Sequence, residues 1–165
     1  MEIRLARESD LADLPRVELS AAEAFAGRDV PPRVFTDVTS PDEWRPYLAT
    51  GTLWVAETGG RPEAFLGAHA EGGRLHIDEF AVARDHQGQG TGRRMLAVVA
   101  DWARAHGFAC LSLTTFRSLP FNGPFYAAAG FREWTPEAAP ATIRQRLMYE
   151  ANAGFKDRCA MRLEL

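Results

Sequence analysis

Between Leu75 and Arg94 the chain changes hydrophobic period, from the alternation of a strand to the spacing of a helix, across three glycines at alternate positions: Gly88, Gly90 and Gly92. Few architectures accept such a junction. A strand must run through a short loop directly into a helix, with the backbone exposed between them. Glycines let successive N–H groups converge because no Cβ blocks the approach. The start of a helix adds unpaired N–H donors and a partial positive charge. The segment therefore reads as a cradle for an anion such as a pyrophosphate. Arg93 and Arg94 in the first turn oppose the helix dipole, a cost that an anionic ligand would offset. Two known cradles do not fit. A P-loop needs a lysine after its glycines, and none is present here. A dinucleotide fingerprint needs a third glycine where Arg93 stands and an acid farther on, and no Asp or Glu lies between Trp102 and Arg132. For the glycines alone, an ordinary tight strand-to-helix turn stays open beside the anion cradle.

The rest of the chain alternates short strand and helix patterns. Met1–Arg7 reads as a strand, with Ser9-Asp10 as the N-cap of a helix carrying Leu11, Leu14, Val17, Ala21 and Phe25 on one face. Residues 27–50 are broken by prolines, with a short helix over Asp42–Leu48. Thr52–Thr58, Glu63–Glu71 and Leu75–Val82 are strand-like, separated by Gly59-Gly60 and Gly72-Gly73, which are hairpin turn signals. A two-residue turn at Gly72-Gly73 sets His69 opposite His76 and Glu71 opposite Arg74. A helix over Thr91–His106, a strand over Phe108–Phe116, a helix over Asn122–Ala129, a brief strand at Phe131–Trp134, a helix over Pro136–Ala153 and a strand over Arg158–Leu165 complete the order. Hairpins mixed with crossovers predict an α/β (α+β) protein with a mixed sheet of about seven strands flanked by helices.

Composition narrows the function classes. A chain of 165 residues with no linker or repeat fits a single domain over residues 1–165. A net charge of −3 argues against nucleic acid and membrane surfaces as partners. The N-terminus lacks the pattern of a signal peptide and no apolar run is long enough for a bilayer, so a cytoplasmic location is expected. Cys110 and Cys159 read as buried apolar thiols rather than a disulfide or zinc site.

Two motifs then stand in order. Gln87-x-x-Gly90-x-Gly92 follows a strand ending Phe80-Ala81-Val82, and Asn122-x-x-Phe125-Tyr126-x-x-x-Gly130-Phe131 follows the next strand. Together they resemble the acetyl-CoA motif and the second signature of the GNAT superfamily of N-acetyltransferases, and the resemblance covers essentially the whole chain. It implies the GNAT fold, with a mostly antiparallel sheet and a bulged strand that splays from its neighbour to open a cleft. It implies acetyl-CoA as cosubstrate and no metal. The loop of Gln87, Gly88, Gln89, Gly90, Thr91, Gly92 and Arg93 would hold the pyrophosphate. Phe80, Ala81 and Val82 would run along the pantetheine arm, with Asn122 and Phe125 also at the cofactor. The implied activity is direct transfer of acetyl to an amine on a small molecule, in a ternary complex. Transfer to a protein amine, or a non-catalytic acyl-CoA-binding module, are the alternatives.

The implied acid is Tyr126; the alternative is a core aromatic, although Phe125 beside it can fill that packing role. Glu79 and then Asp78 are the candidate bases, with His76 behind them. Strict alternation would put His76 and Asp78 on one face and Glu79 on the other, and a bulge would reset this. Relatives that modify protein N-termini often carry a Glu where this chain has Thr114. His69, His76 and Asp78 also admit a metal-ligand reading, with no closed set to support it. Six acids between Glu18 and Glu43 suit a cationic acceptor or simply a solvated surface. The Pro136–Ala153 helix is longer than the usual link in the family, and would cover the acceptor cleft or form a homodimer contact.

Overall fold

The computed structural model describes residues 1–165. The strands are β1 (Glu2–Leu5), β2 (Leu53–Thr58), β3 (Arg61–Glu71), β4 (Arg74–Val82), β5 (Cys110–Phe116), β6 (Arg132–Glu133) and β7 (Arg158–Glu164). The helices are α1 (Leu14–Ala22), α2 (Pro41–Thr50), α3 (Thr91–Ala105), α4 (Gly123–Ala128) and α5 (Ala141–Asn152). The strands form one sheet in the order β1-β2-β3-β4-β5-β7-β6, antiparallel throughout except where β4 meets β5. This is the mixed, mostly antiparallel sheet that the sequence predicts. Gly72 and Gly73, at φ +54° and +80°, make the two-residue turn, and His69 pairs with His76 and Glu71 with Arg74 as expected.

Each face of the sheet buries its own core. On one face, Leu66, Leu75, Ile77, Leu111 and Leu113 pack under Met95, Leu96 and Val99 of α3. On the other, Phe65 and Ala81 pack with Leu14 and Val17 of α1 and Trp44 of α2, while Cys110 and Ala160 lie under Ile143 of α5. Both cysteines are free and buried.

Three helices depart from the sequence pattern because of a proline or a cap. Residues 8–13 form a 3₁₀ turn and α1 begins only at Leu14, because the ring of Pro15 cannot sit one turn inside an α-helix started at Ser9. Asp10 therefore does not cap a long helix; its carboxylate accepts the Arg7 N–H at 2.7 Å and pairs with Arg4 at 2.7 Å. The α2 helix is longer than predicted: a Ser40/Glu43 capping box and Pro41 start it, and Gly51 at φ +68° ends it. The α5 helix starts at Ala141 rather than Pro136, since a proline at 140 disfavours helical geometry in the residue before it.

Trp44 is seated over Gly67 of β3, where a Cβ would clash with the indole ring. Gly67→Ala should therefore cost about 1–3 kcal/mol of stability by overpacking. Urea unfolding of the variant checks it, and an unchanged midpoint would show that the ring shifts freely.

Candidate active site

The site begins with one extra residue in β4. Ile77 pairs with Ala68 and Glu79 with Gly67, so Asp78 has no partner in the ladder. On the two sides of this bulge Leu75, Ile77, Phe80 and Val82 all face the α3 core, whereas Ala81 faces α1 and α2. The two residues between Ile77 and Phe80 are thus both turned to the α1 side, where His76 also points. The pairing of β4 with β5 stops at His76–Ser112, and beyond it the strands part. A cleft of about 970 Å³ passes through the opening, bounded by both strands, the glycine loop, α4, the end of α1 and the Arg33–Asp37 stretch.

The α3 side of the cleft is built from backbone. Gly88 and Gly90 take φ of +71° and +80°, the left-handed region that favours glycine. Gly90 is the N-cap of α3, and none of the N–H groups from Gly88 to Arg93 meets a backbone acceptor. Gly92 is helical and needs to be small for another reason: a Cβ there would stand 3.1 Å from the Phe125 ring and 3.4 Å from the Phe80 ring. Gln87 donates from Nε2 to the Val82 carbonyl at 2.9 Å, tying the loop to the strand end. Gln89 is the one predicted loop residue that turns away from the cleft, donating to the Asp85 carbonyl at 2.7 Å. The bond from Ala83 N–H to the Glu63 carbonyl sets the parity of the ladder, so Ala81 bonds toward β3 while Phe80 and Val82 direct their backbone groups into the cleft. Asn122, at the cap of α4, has a buried amide oxygen with no partner, on the cleft wall beside Phe125.

Glu79 and Tyr126 both line the cleft, near enough for the charge of one to act on the other. Tyr126 packs edge-on against Phe125 and Phe131, at 5.1 and 5.5 Å, and also lines the cleft. Burial raises its phenol well above the ordinary value, and the charge of Glu79 adds to the rise. Burial also lifts the Glu79 carboxyl to about 7, with Glu18 of α1 as the next contributor. That carboxylate accepts the Phe80 N–H at 3.1 Å.

Asp78 is differently placed although it shares the face. Tyr47 donates to its carboxylate at 3.0 Å, His69 Nδ1 lies 2.6 Å away and Arg146 of α5 lies 3.6 Å away. The hydrogen bond to Asp78 raises the His69 pKa, as an ion-pair partner does. Burial lowers His76 to about 4; neutral at ordinary pH, it bonds Ser112 at 2.8 Å. Thr114 donates to Glu150 of α5, which pairs with Arg158 at 3.0 Å. The long helix thus sends Arg146 and Glu150 under the sheet opening.

Of the six acids between residues 18 and 43, only Glu18 and Asp37 reach the cleft; Asp29 pairs with Lys156, Asp42 with Arg45, and Glu43 caps Ser40. Sequence reasoning did not find the far wall, made of Phe25, Phe116, Phe121, Phe155 and Arg158. The only sequence signal for it is a pair of phenylalanines in turns, after Pro120 and after Gly154.

A sheet parted between two parallel strands, beside a loop of unpaired N–H groups, defines the acyltransferase class to which the sequence motifs pointed. The chain belongs to the Acetyltransferase (GNAT) family, whose family model matches residues 21–131. It is 28% identical over 96 residues to the probable N-acetyltransferase camello of Xenopus tropicalis, covering 56% of this chain and 44% of that protein. Over 99 residues it is 29% identical to N-acetyltransferase family 8 member 2 of Rattus norvegicus, with the same coverage. The chain thus spans less than half the length of the curated relatives it matches. Its fold superposes on the PaiA N-acetyltransferase from Thermoplasma acidophilum, solved in complex with coenzyme A, with a TM-score of 0.77 at 14% identity over 99% of this chain and 98% of that one.

Proposed function

We propose that this chain is an acetyl-CoA-dependent N-acetyltransferase that moves acetyl to the primary amine of a small molecule by direct attack in a ternary complex. The observation that carries this reading is that Glu79 and Tyr126 line one cleft together with the loop whose N–H groups from residue 88 to 93 are unpaired. The site suits the cosubstrate chemically. A pyrophosphate would satisfy the open N–H groups of the loop and the dipole of α3. The orphaned Asn122 oxygen would accept an amide N–H of the pantetheine arm. Backbone groups of Phe80 and Val82 would pair with the same arm, in exchange for their present bonds to Glu79 and Gln87. When bound, the thioester supplies an activated acyl carbon.

The chain's own residues do the rest. An alkylammonium has a pKa of about 10.4 and cannot attack until it loses a proton. Glu79 takes that proton, as the cleft residue with a carboxyl near neutrality and no cationic partner in contact. Asp78, engaged by Tyr47, His69 and Arg146, holds the bulge and with it the aim of Glu79. The new N–C bond forms as the C–S bond breaks, and Tyr126 offers its proton to the departing sulfur. Its raised pKa keeps the phenol protonated across the working range. Full transfer to a thiolate of pKa about 8.5 would run uphill, so the hydroxyl acts mainly as a hydrogen-bond donor.

Tyr126→Phe should therefore lower turnover by about 10²-fold, the lower end for general acid catalysis, with little change in CoA affinity. Steady-state kinetics with thiol-release detection, and calorimetry with CoA, check the two halves. Wild-type turnover with chemistry rate-limiting would leave Tyr126 as core packing. CoA binding with no turnover across a broad amine screen would instead favour a non-catalytic module.

A further inference from the structure

On the α1 side, the cleft opens onto a wall of phenylalanines. Phe25 meets Phe121 edge-on at 5.0 Å and Phe116 at 5.6 Å, and Phe116 meets Phe155 at 5.9 Å. The four rings come from separate segments, and three of them are only half-buried, so their apolar surface belongs to the cleft rather than to the core. A wall of aromatic rings facing a cleft is the mark of a site for an apolar ligand body.

The charges around the wall restrict the ligand further. The acids Glu79 and Glu18 line the cleft, and each feels the burial of its surroundings. A single ammonium directed at Glu79 is therefore well placed. Farther out the charges are paired, Arg158 with Glu150 at 3.0 Å and Arg33 with Asp37 at 3.0 Å. Arg158 lies over Phe116 at 4.6 Å and over Phe155 at 5.4 Å, and Arg33 approaches the Phe155 ring at 6.0 Å. These guanidinium groups already cover Phe116 and Phe155 as cations and their acids are engaged, so a second ammonium on the ligand gains no partner at those rings.

We infer that the acceptor is a monoamine carried on an aromatic or similarly bulky apolar body, with the body seated on Phe25, Phe116, Phe121 and Phe155 and the amine directed at Glu79. This rests on the acetyl-transfer reading above for the role of the amine, but the recognition itself is a binding property and is tested as one. Calorimetric titration of phenethylamine, propylamine, spermidine and an alanine-initiated peptide into the CoA-saturated protein gives the comparison. Phenethylamine should bind about tenfold or more tightly than propylamine, as burial of an aromatic ring predicts, and spermidine should gain nothing over propylamine. Phe121→Ala and Phe25→Ala, each checked for folding by thermal unfolding, should each shrink the phenethylamine advantage to about threefold or less. Tighter binding of spermidine or the peptide, equal binding of all four, or no amine binding would overturn the inference. Replacing CoA by acetyl-CoA separates the two claims. Phenethylamine that binds with this preference but is not acetylated would overturn acetyl transfer and leave the aryl-amine site standing. Acetylation that favours spermidine or the peptide would do the reverse.

Discussion

Glu79→Gln should cut turnover by about 10²–10⁴-fold, the range that a positioned base contributes. The substitution keeps the size of the side chain and removes its charge together with its capacity to take a proton. The pH dependence gives a second signature. With its carboxyl held at about 7, Glu79 is protonated and unable to act below that value, so kcat/KM for the acceptor should rise with pH through a limb near 7. The variant should lack this limb. Stability should move the other way. A carboxyl whose folded pKa is raised, here from 4.5 to about 7, binds more protons folded than unfolded between those values, so it lowers stability as pH rises through that window and leaves a constant deficit above it. Glu79→Gln should therefore raise the unfolding temperature at pH 8 while it lowers activity. A base and a merely structural carboxylate differ in this: loss of activity together with loss of stability, or an unchanged pH profile, would remove Glu79 from proton transfer.

Gly92→Asp should weaken CoA binding by about 10²-fold or more. A carboxylate beside a pyrophosphate, about 5 Å away at an effective dielectric of about 20, costs about 3 kcal/mol for each phosphate charge. Its Cβ also meets the rings of Phe125 and Phe80, both on the cleft wall. Yet an acid in the first turn of α3 is favourable to the helix itself, by about 0.3–1 kcal/mol. The expected variant is thus folded and blind to CoA, whereas Gly92→Ala tests the steric part alone and should lose far less. Gly90→Asp reaches a similar end by another route. A Cβ at Gly90 meets nothing, but its φ of +80° strains any other residue, and the charge enters the same loop. Calorimetry with acetyl-CoA decides both, and undiminished affinity in a folded Gly92→Asp protein would move the phosphate site elsewhere.

Much of the fold was legible because its signals are local. Two-residue Gly-Gly turns pin the register of their hairpins, and a change of period at Gly88–Gly92 marks a strand-to-helix junction wherever it occurs. The pair of motifs carries the family because each is a contiguous run read in order. The boundaries that slipped, at Leu14 and Ala141, slipped where a proline acts on residues before it while the apolar spacing runs on unchanged.

The sequence by itself determined the strand and helix order, the open backbone of the loop and the names of the candidate acid and base. Only the tertiary structure decided which of those candidates face the cleft together. The bulge at Asp78 arises in the pairing of β4 with its neighbour β3, and it turns Asp78 and Glu79 to the same face against the alternation that each strand shows alone. The capture of Asp78 by Tyr47, His69 and Arg146 joins α2, β3 and α5, and the phenylalanine wall joins residues as distant as Phe25 and Phe155. Contacts of that kind leave no period or spacing along the chain, because they exist only once the sheet has brought separate segments to one place.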